Sequence, residues 1–518
     1  MRYALCVSAI LAGAMLLTVD ANAQISPEWR NCTGNPDVDL DQQIKSCTAL
    51  IQSGRETAHD RAVAYGNRGN AYLAKGDNHR AIADYDQAVK LDPKQAVSYN
   101  NRASAYRANG DNDRAIADYT QAIRLAPKLA VVYYNLGNAY RANGDNDRAI
   151  ADYTQAIQLD SEHAVAYYDR GLAYYANGDN DRAIADYDQA IQLDPKQAVG
   201  YYTRGNAYRA KGDNDRAIAD YTQAIQLDPK YTVAYDNRGI TYYANGENDR
   251  AIADYDQAIQ LDPKDPVAYY NQGLAYHAKG DNDRAIADYD QVIQLEPKYT
   301  VGYNNRGIAY YAKGDNDDAI ADYTQAIQLE PKYVSAYNNR AIAYRAKGDN
   351  DRAIADYTQV IQLDPKNTYA YFHRGLANLY AGALPKALAD LNQASTLDPK
   401  DAYAALWRDI VGQRSNVPSD LSQAISTIDM TKWPAPMIRM FLGQMTPAAV
   451  LAAADNADAT TKEGQVCDAN LYSGELALRQ SAKDNATRLF RLAASDCPKT
   501  FDEWLAANAE LKALGAAP

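Results

Sequence analysis

Phenylalanine is almost missing from this chain, which has 4 of them against 43 tyrosines in 518 residues. Its four tryptophans, Trp29, Trp407, Trp433 and Trp504, all fall outside the stretch from 62 to 401. The long middle therefore has a vocabulary of its own. Positive charge is also in deficit: 53 lysines and arginines face 66 acidic residues, a net charge of −13. That is the wrong sign for a protein whose affinity comes from neutralising phosphates, and it argues against nucleic acid and anionic membrane as partners. Histidine is scarce, with His59, His79, His163, His277 and His373 scattered and none beyond 373. Nucleophilic catalysis at neutral pH usually needs such a base within reach of the nucleophile. The chain also lacks H-E-x-x-H, G-x-S-x-G and P-loop patterns. Asp502 and Glu503 are adjacent carboxylates, but neighbours on a helix point apart and read as solvated surface. Neither an enzyme nor a cofactor is expected.

Long apolar runs are missing after the N-terminus. The one present, Ala4 to Val19, precedes Ala21-Asn22-Ala23, a small-residue cleavage pattern, so residues 1–23 read as a signal peptide cut after Ala23. At roughly 16 residues the run is short for a membrane span. Its cysteine, Cys6, sits inside the run and offers no lipid attachment site at the cleavage point. A periplasmic or secreted protein is expected. Four cysteines then remain as two local pairs, Cys32 with Cys47 and Cys467 with Cys497, which in an oxidising compartment read as two disulfides. Neither pair has the C-x-x-C spacing of a metal site.

A chain this long exceeds a single core, and the sequence shows how it is divided. From 62 to 401 it repeats every 34 residues, in ten copies starting at 62, 96, 130, 164, 198, 232, 266, 300, 334 and 368. Counting each copy from 1, tyrosines at 4 and 11 share one face of a first helix, as Tyr201 and Tyr208 do. A second helix carries a stripe at 20, 24 and 27, as in Ala217, Tyr221 and Ala224. Glycine at 15 ends the first helix where a left-handed residue is wanted. Asp213-Asn214-Asp215 and its equivalents supply an N-cap and negative charge to the second helix. That acidic cluster lacks the glycine and glutamate of a calcium loop. Position 8 is glycine or alanine, which permits close approach of two helices, and a leucine there would overpack. Pro229 at position 32 closes the unit.

This pattern closely resembles the tetratricopeptide family. The resemblance implies an all-α, right-handed solenoid of antiparallel helix pairs, stacked into a superhelix whose first helices line the concave face. Residues 24–61 are expected to form an N-terminal cap with a half repeat built on 43–51. Residues 402–518 are expected to form a helical C-terminal cap, with a divergent eleventh repeat at 467–500 that places Gly474, Ala486, Phe490, Ala493 and Pro498 at positions 8, 20, 24, 27 and 32. The tenth copy already departs, with Asn378, Pro385 and Leu391 at patterned positions. The C-terminal part, with Trp433 and Phe441-Leu442-Gly443, is similar to periplasmic tetratricopeptide adaptors of Gram-negative bacteria, which scaffold cell-wall hydrolases and a protease. Those are lipoproteins, and this chain lacks their lipid site.

In this family the ligand lies along the concave face, on first-helix positions 2, 5, 6, 9 and 12. Position 6 is asparagine seven times: Asn67, Asn101, Asn135, Asn237, Asn271, Asn305 and Asn339. Side-chain amides offer both donor and acceptor, so a ladder of them can bond an extended backbone of any sequence. Beside it stand Tyr134, Tyr168, Tyr202 and Tyr270 at position 5, and Arg107, Arg141, Arg209 and Arg345 at position 12. Tyrosine and arginine are enriched at binding hot spots. Recent duplication of a neutral choice would produce the same regularity. Position 2 is mostly valine, which argues against the carboxylate-clamp subclass that binds chaperones. Arg68 and its equivalents at position 7, where the family prefers leucine, read as structural, with a partner the sequence does not identify. The functional expectation is an exported scaffold that holds extended segments or envelope proteins. The alternative is a self-associating structural component of the envelope.

Overall fold

The computed structural model describes residues 26–34, 36–498 and 501–516, and all regular structure among them is helical. The expected signal peptide and its expected cleavage after Ala23 lie outside the described residues. No described helix is long and apolar enough to cross a membrane. The chain divides into two compact units, Met1–Thr241 and Tyr242–Pro518.

Within each unit the 34-residue copies are helix pairs, for which residues 198–231 serve as example. The first helix, Ala198–Ala210, occupies positions 1–13, and the second, Asn214–Leu227, occupies positions 17–30. The connection turns on Gly212, whose φ of 78° is left-handed. Asp213 accepts the Arg216 backbone N–H at 3.2 Å and so caps the second helix. The Arg216 guanidinium returns to the same carboxylate and lies 4.4 Å from the centre of the Tyr208 ring. This cap recurs, for example at Asp111 and Asp179.

The stripe predicted at 20, 24 and 27 is the core: Ala217, Tyr221 and Ala224 are fully buried. Gly205 at position 8 lies flat on the Tyr221 ring, and a Cβ there would sit 2.8 Å from the ring edge. The tyrosine hydroxyl is satisfied from the first helix, Tyr221 donating to Asn206 at 2.7 Å and Tyr85 to Asn70 at 2.7 Å. Where position 9 is asparagine, the tyrosine thus supplies bulk at one end and a hydrogen bond at the other.

The position-7 arginines bind these pairs to one another. Arg204 holds Asp220, at position 23 of its own copy, through Nε at 2.8 Å and Nη2 at 2.7 Å. Its Nη1 reaches back to Asp188, at position 25 of the preceding copy, at 2.6 Å. Arg170 does the same with Asp186 and Thr154, Arg340 with Asp356 and Thr324, and Arg374 with Asp390 and Thr358. One planar fork thereby fixes the pairing inside a repeat and the stacking between repeats.

Two copies lack that arginine, carrying Leu136 and Gln272 instead. Burial, with only Arg148 opposing it, raises the Asp152 carboxyl of the first to about 7. Gln272 of the second donates to Asp256 at 2.7 Å. Asp288 is left with an unpartnered Oδ2, and burial together with the charge of Asp256 raises it to about 7.

The ends of the array follow the same grammar. Leu40–Gln52 is a helix capped by Asp39 and tied by the Cys32–Cys47 disulfide, whose Cα atoms are 4.8 Å apart. Its Thr48 takes the Nη1 of Arg68 at 2.9 Å, as position 25 does elsewhere. At the other end, Ala459–Arg479 and Lys483–Asp496 form the eleventh pair, joined through Ser481 with φ 60° at the position glycine holds in the other copies. Gly474 lies on Phe490 as Gly205 lies on Tyr221. The Cys467–Cys497 disulfide, with Cα atoms 5.4 Å apart, joins this pair's two ends. Between array and eleventh pair, Ala402–Arg414 and three short helices pack Trp407, Met437, Ile438 and Phe441 into one core with Tyr472 and Phe490.

Two outcomes test this account. Replacing Arg204 by methionine strands Asp220 and Asp188 and costs about 3 kcal/mol of local stability. The loss is read as faster amide exchange in Asn214–Leu227 and in the preceding second helix, Asn180–Leu193. Leu136→Arg supplies the missing fork to Asp152. A carboxyl raised to about 7 in the fold favours folding below the ordinary carboxylate range and loses that contribution as pH rises through 7. The variant therefore melts higher than the parent at pH 8, by the equivalent of about 1–2 kcal/mol, and the gain shrinks by pH 5 in melts followed by circular dichroism.

Candidate protein-binding face

First helices of successive copies meet through positions 5, 6, 9 and 12, the positions at which a ligand was expected. The asparagines at position 6 do form a ladder, but its rungs run between repeats. Asn135 donates to Asn100 at 3.1 Å, Asn237 to Tyr202 at 3.2 Å, Asn305 to Tyr270 at 2.9 Å and Asn339 to Asn304 at 3.0 Å. In each case the acceptor stands at position 5 of the preceding copy. In the first copy position 5 is Gly66, so Asn101 turns to Asn70 at position 9, at 3.0 Å. All seven asparagines, Asn67 and Asn271 among them, are half-buried. Amide donors are thus engaged along this face, and part of the ladder's purpose is to hold adjacent first helices in register.

The tyrosines at position 5 lean on the buried tyrosines of the second helices. Ring centroids are 5.9 Å apart for Tyr134 with Tyr153 and for Tyr168 with Tyr187, 6.0 Å for Tyr202 with Tyr221, and 6.2 Å for Tyr270 with Tyr289. Tyr270 also meets Tyr299 edge-on at 5.7 Å. Burial holds the phenols of Tyr134 and Tyr270 above their usual range. Tyr134 donates to Asp169, whereas Tyr270 accepts from Asn305.

The arginines at position 12 reach toward position 6 of the following copy, 28 residues on. Arg141 meets Asp169 at 3.3 Å, and Tyr134 donates to the same carboxylate at 2.7 Å. Arg209 meets the amide oxygen of Asn237 at 3.2 Å. Arg345 is buried and lies 3.0 Å from Nδ1 of His373. His373 itself is lowered to about 4 by burial, the Asp502 charge only partly opposing this, and is neutral at physiological pH. The Nε atoms of Arg107 and Arg209 are buried without a hydrogen-bond partner.

One participant was not anticipated. The C-terminal helix Asp502–Ala513 brings Asp502 to Arg345 at 2.9 Å and to His373 at 3.6 Å, on positions 12 and 6 of the ninth and tenth copies. Burial would push this carboxyl up, but His373 and Arg345 outweigh it and hold it below the usual range. The solvated role expected for Asp502 and Glu503 is therefore corrected, although the two do point apart. Glu503 turns toward Asp468 and is raised to about 8 by burial and by that neighbour's charge. Asp468 accepts from Trp433 Nε1 at 2.7 Å and from the Tyr403 hydroxyl at 2.8 Å. Arg414 bridges Glu475 at 2.5 Å and Glu510 at 2.9 Å. These buried charges tie the terminal helices to one another. Among the described residues no group of three or more histidine, cysteine or acidic side chains is placed to hold a metal ion.

Comparison with curated proteins gives no match. Among solved structures the chain is similar to MamA, at 31% identity over 31% of this chain and 95% of that one, with a TM-score of 0.30. It is also similar to YrrB, described as a TPR protein with an unusual peptide-binding site, at 25% identity over 36% and 95% of the two chains, with a TM-score of 0.33. Yeast Tom70 matches at 17% identity over 75% and 95%, with a TM-score of 0.35. Tetratricopeptide repeat models match residues 134–198, 304–368 and 338–402, and another matches 186–219. A TPR repeat model matches 69–110, 103–144, 205–246, 241–280 and 273–314. Together these spans run from residue 69 to 402, through helix pairs whose glycine, tyrosine and alanine positions carry the packing, and the chain belongs to the tetratricopeptide repeat family.

Proposed function

We propose that this protein is an exported adaptor that holds segments of other envelope proteins on the faces formed by its first helices. Tetratricopeptide proteins are protein-interaction scaffolds and typically non-catalytic. The observation that carries the finer reading is the concentration of tyrosine, arginine and amide side chains on those faces, half-buried and held in place by their neighbours in the adjacent copy. Side chains already ordered in the free protein lose little entropy on binding, and the residue types are those of hot spots.

Export is supported by the N-terminal apolar run with its Ala21-Asn22-Ala23 pattern and by two cysteine pairs at disulfide distance, an arrangement suited to an oxidising compartment. The similarity of the C-terminal part to periplasmic adaptors makes cell-wall hydrolases and proteases the first partners to examine. Self-association into an envelope structure is the second reading. It is disfavoured by the ends, where disulfide-bonded helices cover the array's terminal faces instead of repeating them.

The experiment is a pull-down from the cell envelope with the mature chain beside a variant carrying alanine at Asn67, Asn101, Asn135, Asn237, Asn271, Asn305 and Asn339. Partners retained by the parent and depleted about tenfold or more by the variant support binding on this face, provided that circular dichroism shows the variant folded. Partners held equally by both place binding elsewhere, on 402–518 first. A mass that climbs without plateau in light scattering across a concentration series establishes assembly instead.

A further inference from the structure

Four of the ten copies carry arginine at position 12, and they fall into two classes. Arg141 and Arg345 each hold a carboxylate. For Arg141 it comes from position 6 of the next copy, Asp169, at 3.3 Å. For Arg345 it comes from a different part of the chain, Asp502 on the C-terminal helix, at 2.9 Å, with His373 at position 6 as second contact. Neither Arg107 nor Arg209 forms an ion pair, although Asp169 lies within electrostatic reach of Arg107. Their counterparts 28 residues on are Asn135 and Asn237, neutral amides, and Arg209 makes do with the Asn237 oxygen at 3.2 Å. An amide oxygen carries only a partial charge, so it neutralises a guanidinium poorly. In both arginines Nε is buried without a hydrogen-bond partner, and the guanidinium lies beside the hydroxyl of the core tyrosine of its own copy, Tyr119 or Tyr221.

The chain thus displays the ligand its own arginine sites accept: an aspartate in the first turn of a short acidic helix, seated between position 12 of one copy and position 6 of the next. We propose that Arg107 with Asn135, and Arg209 with Asn237, recognise carboxylate side chains of an acidic segment of a partner protein, in the way Arg345 and His373 take Asp502. This deepens the adaptor reading and rests on it, adding the chemistry of the partner. Both sites lie in the N-terminal unit. Charge complementarity selects the occupant: two guanidinium groups without an ion-pair partner favour an acidic segment over a neutral or basic one.

The test uses the full mature chain and a fluorescently labelled peptide reproducing residues 501–516, with a neutral control peptide carrying Asp502→Asn, Glu503→Gln and Glu510→Gln. Anisotropy titration should show the acidic peptide binding the parent protein about tenfold or more tightly than the neutral one, and weakening as salt is added. Arg107→Gln with Arg209→Gln should remove that preference. A second variant keeps both arginines: Asn135→Asp with Asn237→Asp places a carboxylate where Asp169 stands, fills both sites from within and should abolish the preference while keeping or raising the melting temperature. If the two peptides bind alike and neither variant changes them, carboxylate recognition is wrong and the adaptor reading survives. If the preference persists in both variants, the peptide is seated elsewhere and the assignment falls. If neither peptide binds, the inference also falls, and the envelope pull-down, which does not depend on acidity, decides the adaptor reading by itself.

Discussion

The guanidinium at position 7 is the constraint from which the rest of this architecture follows. A tetratricopeptide stack gains little from any one repeat, because each helix pair leaves apolar stripes that only its neighbours cover. Dispersion and apolar burial hold the layers together but tolerate sliding and rotation. A planar fork with donors in three directions does not. By taking the Asp220 carboxylate with two donors and Asp188 of the preceding copy with the third, Arg204 specifies the pairing within the repeat and the register against the next. Tyr221 and Gly205 can then approach to van der Waals contact, since the helices that carry them have one permitted arrangement.

The two copies without the fork show what it does. Asp152 and Asp288 keep the carboxylates and lose the cation, and burial then favours their protonated forms near neutral pH. The array thus contains two joints whose electrostatics differ from the rest. The candidate binding face is built on the same rigid framework. Its asparagines bridge adjacent first helices, its tyrosines rest on buried tyrosines, and its arginines are aimed at the next copy. The side chains proposed to meet a partner are also the ones that hold the repeats in phase, so a ligand bound there would act on stack geometry through the same residues.

Much of this was legible in the sequence because a 34-residue period imposes the same local environment ten times. The helix bounds, the left-handed glycines, the aspartate caps and the close approach at position 8 all rest on short-range rules that one copy suffices to show and the others repeat. Both cysteine pairs were readable for a similar reason, since each joins elements near in sequence. The partner of the position-7 arginines was not, because one of its contacts lies 16 residues ahead and the other 16 behind, on a different helix pair. The internal use of the asparagine ladder was missed for the same reason: a periodic polar residue looks alike whether it faces a ligand or its own neighbour.

What the sequence by itself determined is the all-helical repeat, its boundaries and its chemical alphabet, since periodicity, capping and glycine placement act over a few residues. What only the tertiary structure decided is which of those groups remain available. Asp502 reads as one of many surface acids until the fold carries it 157 residues from its place in the chain to Arg345. That pairing depends on how the terminal helices turn back through a non-repeating core of tryptophan, methionine and tyrosine. No local rule fixes such a turn. It is settled by the side chains that fill the space, and the pairing of Arg345 with Asp502 is settled with it.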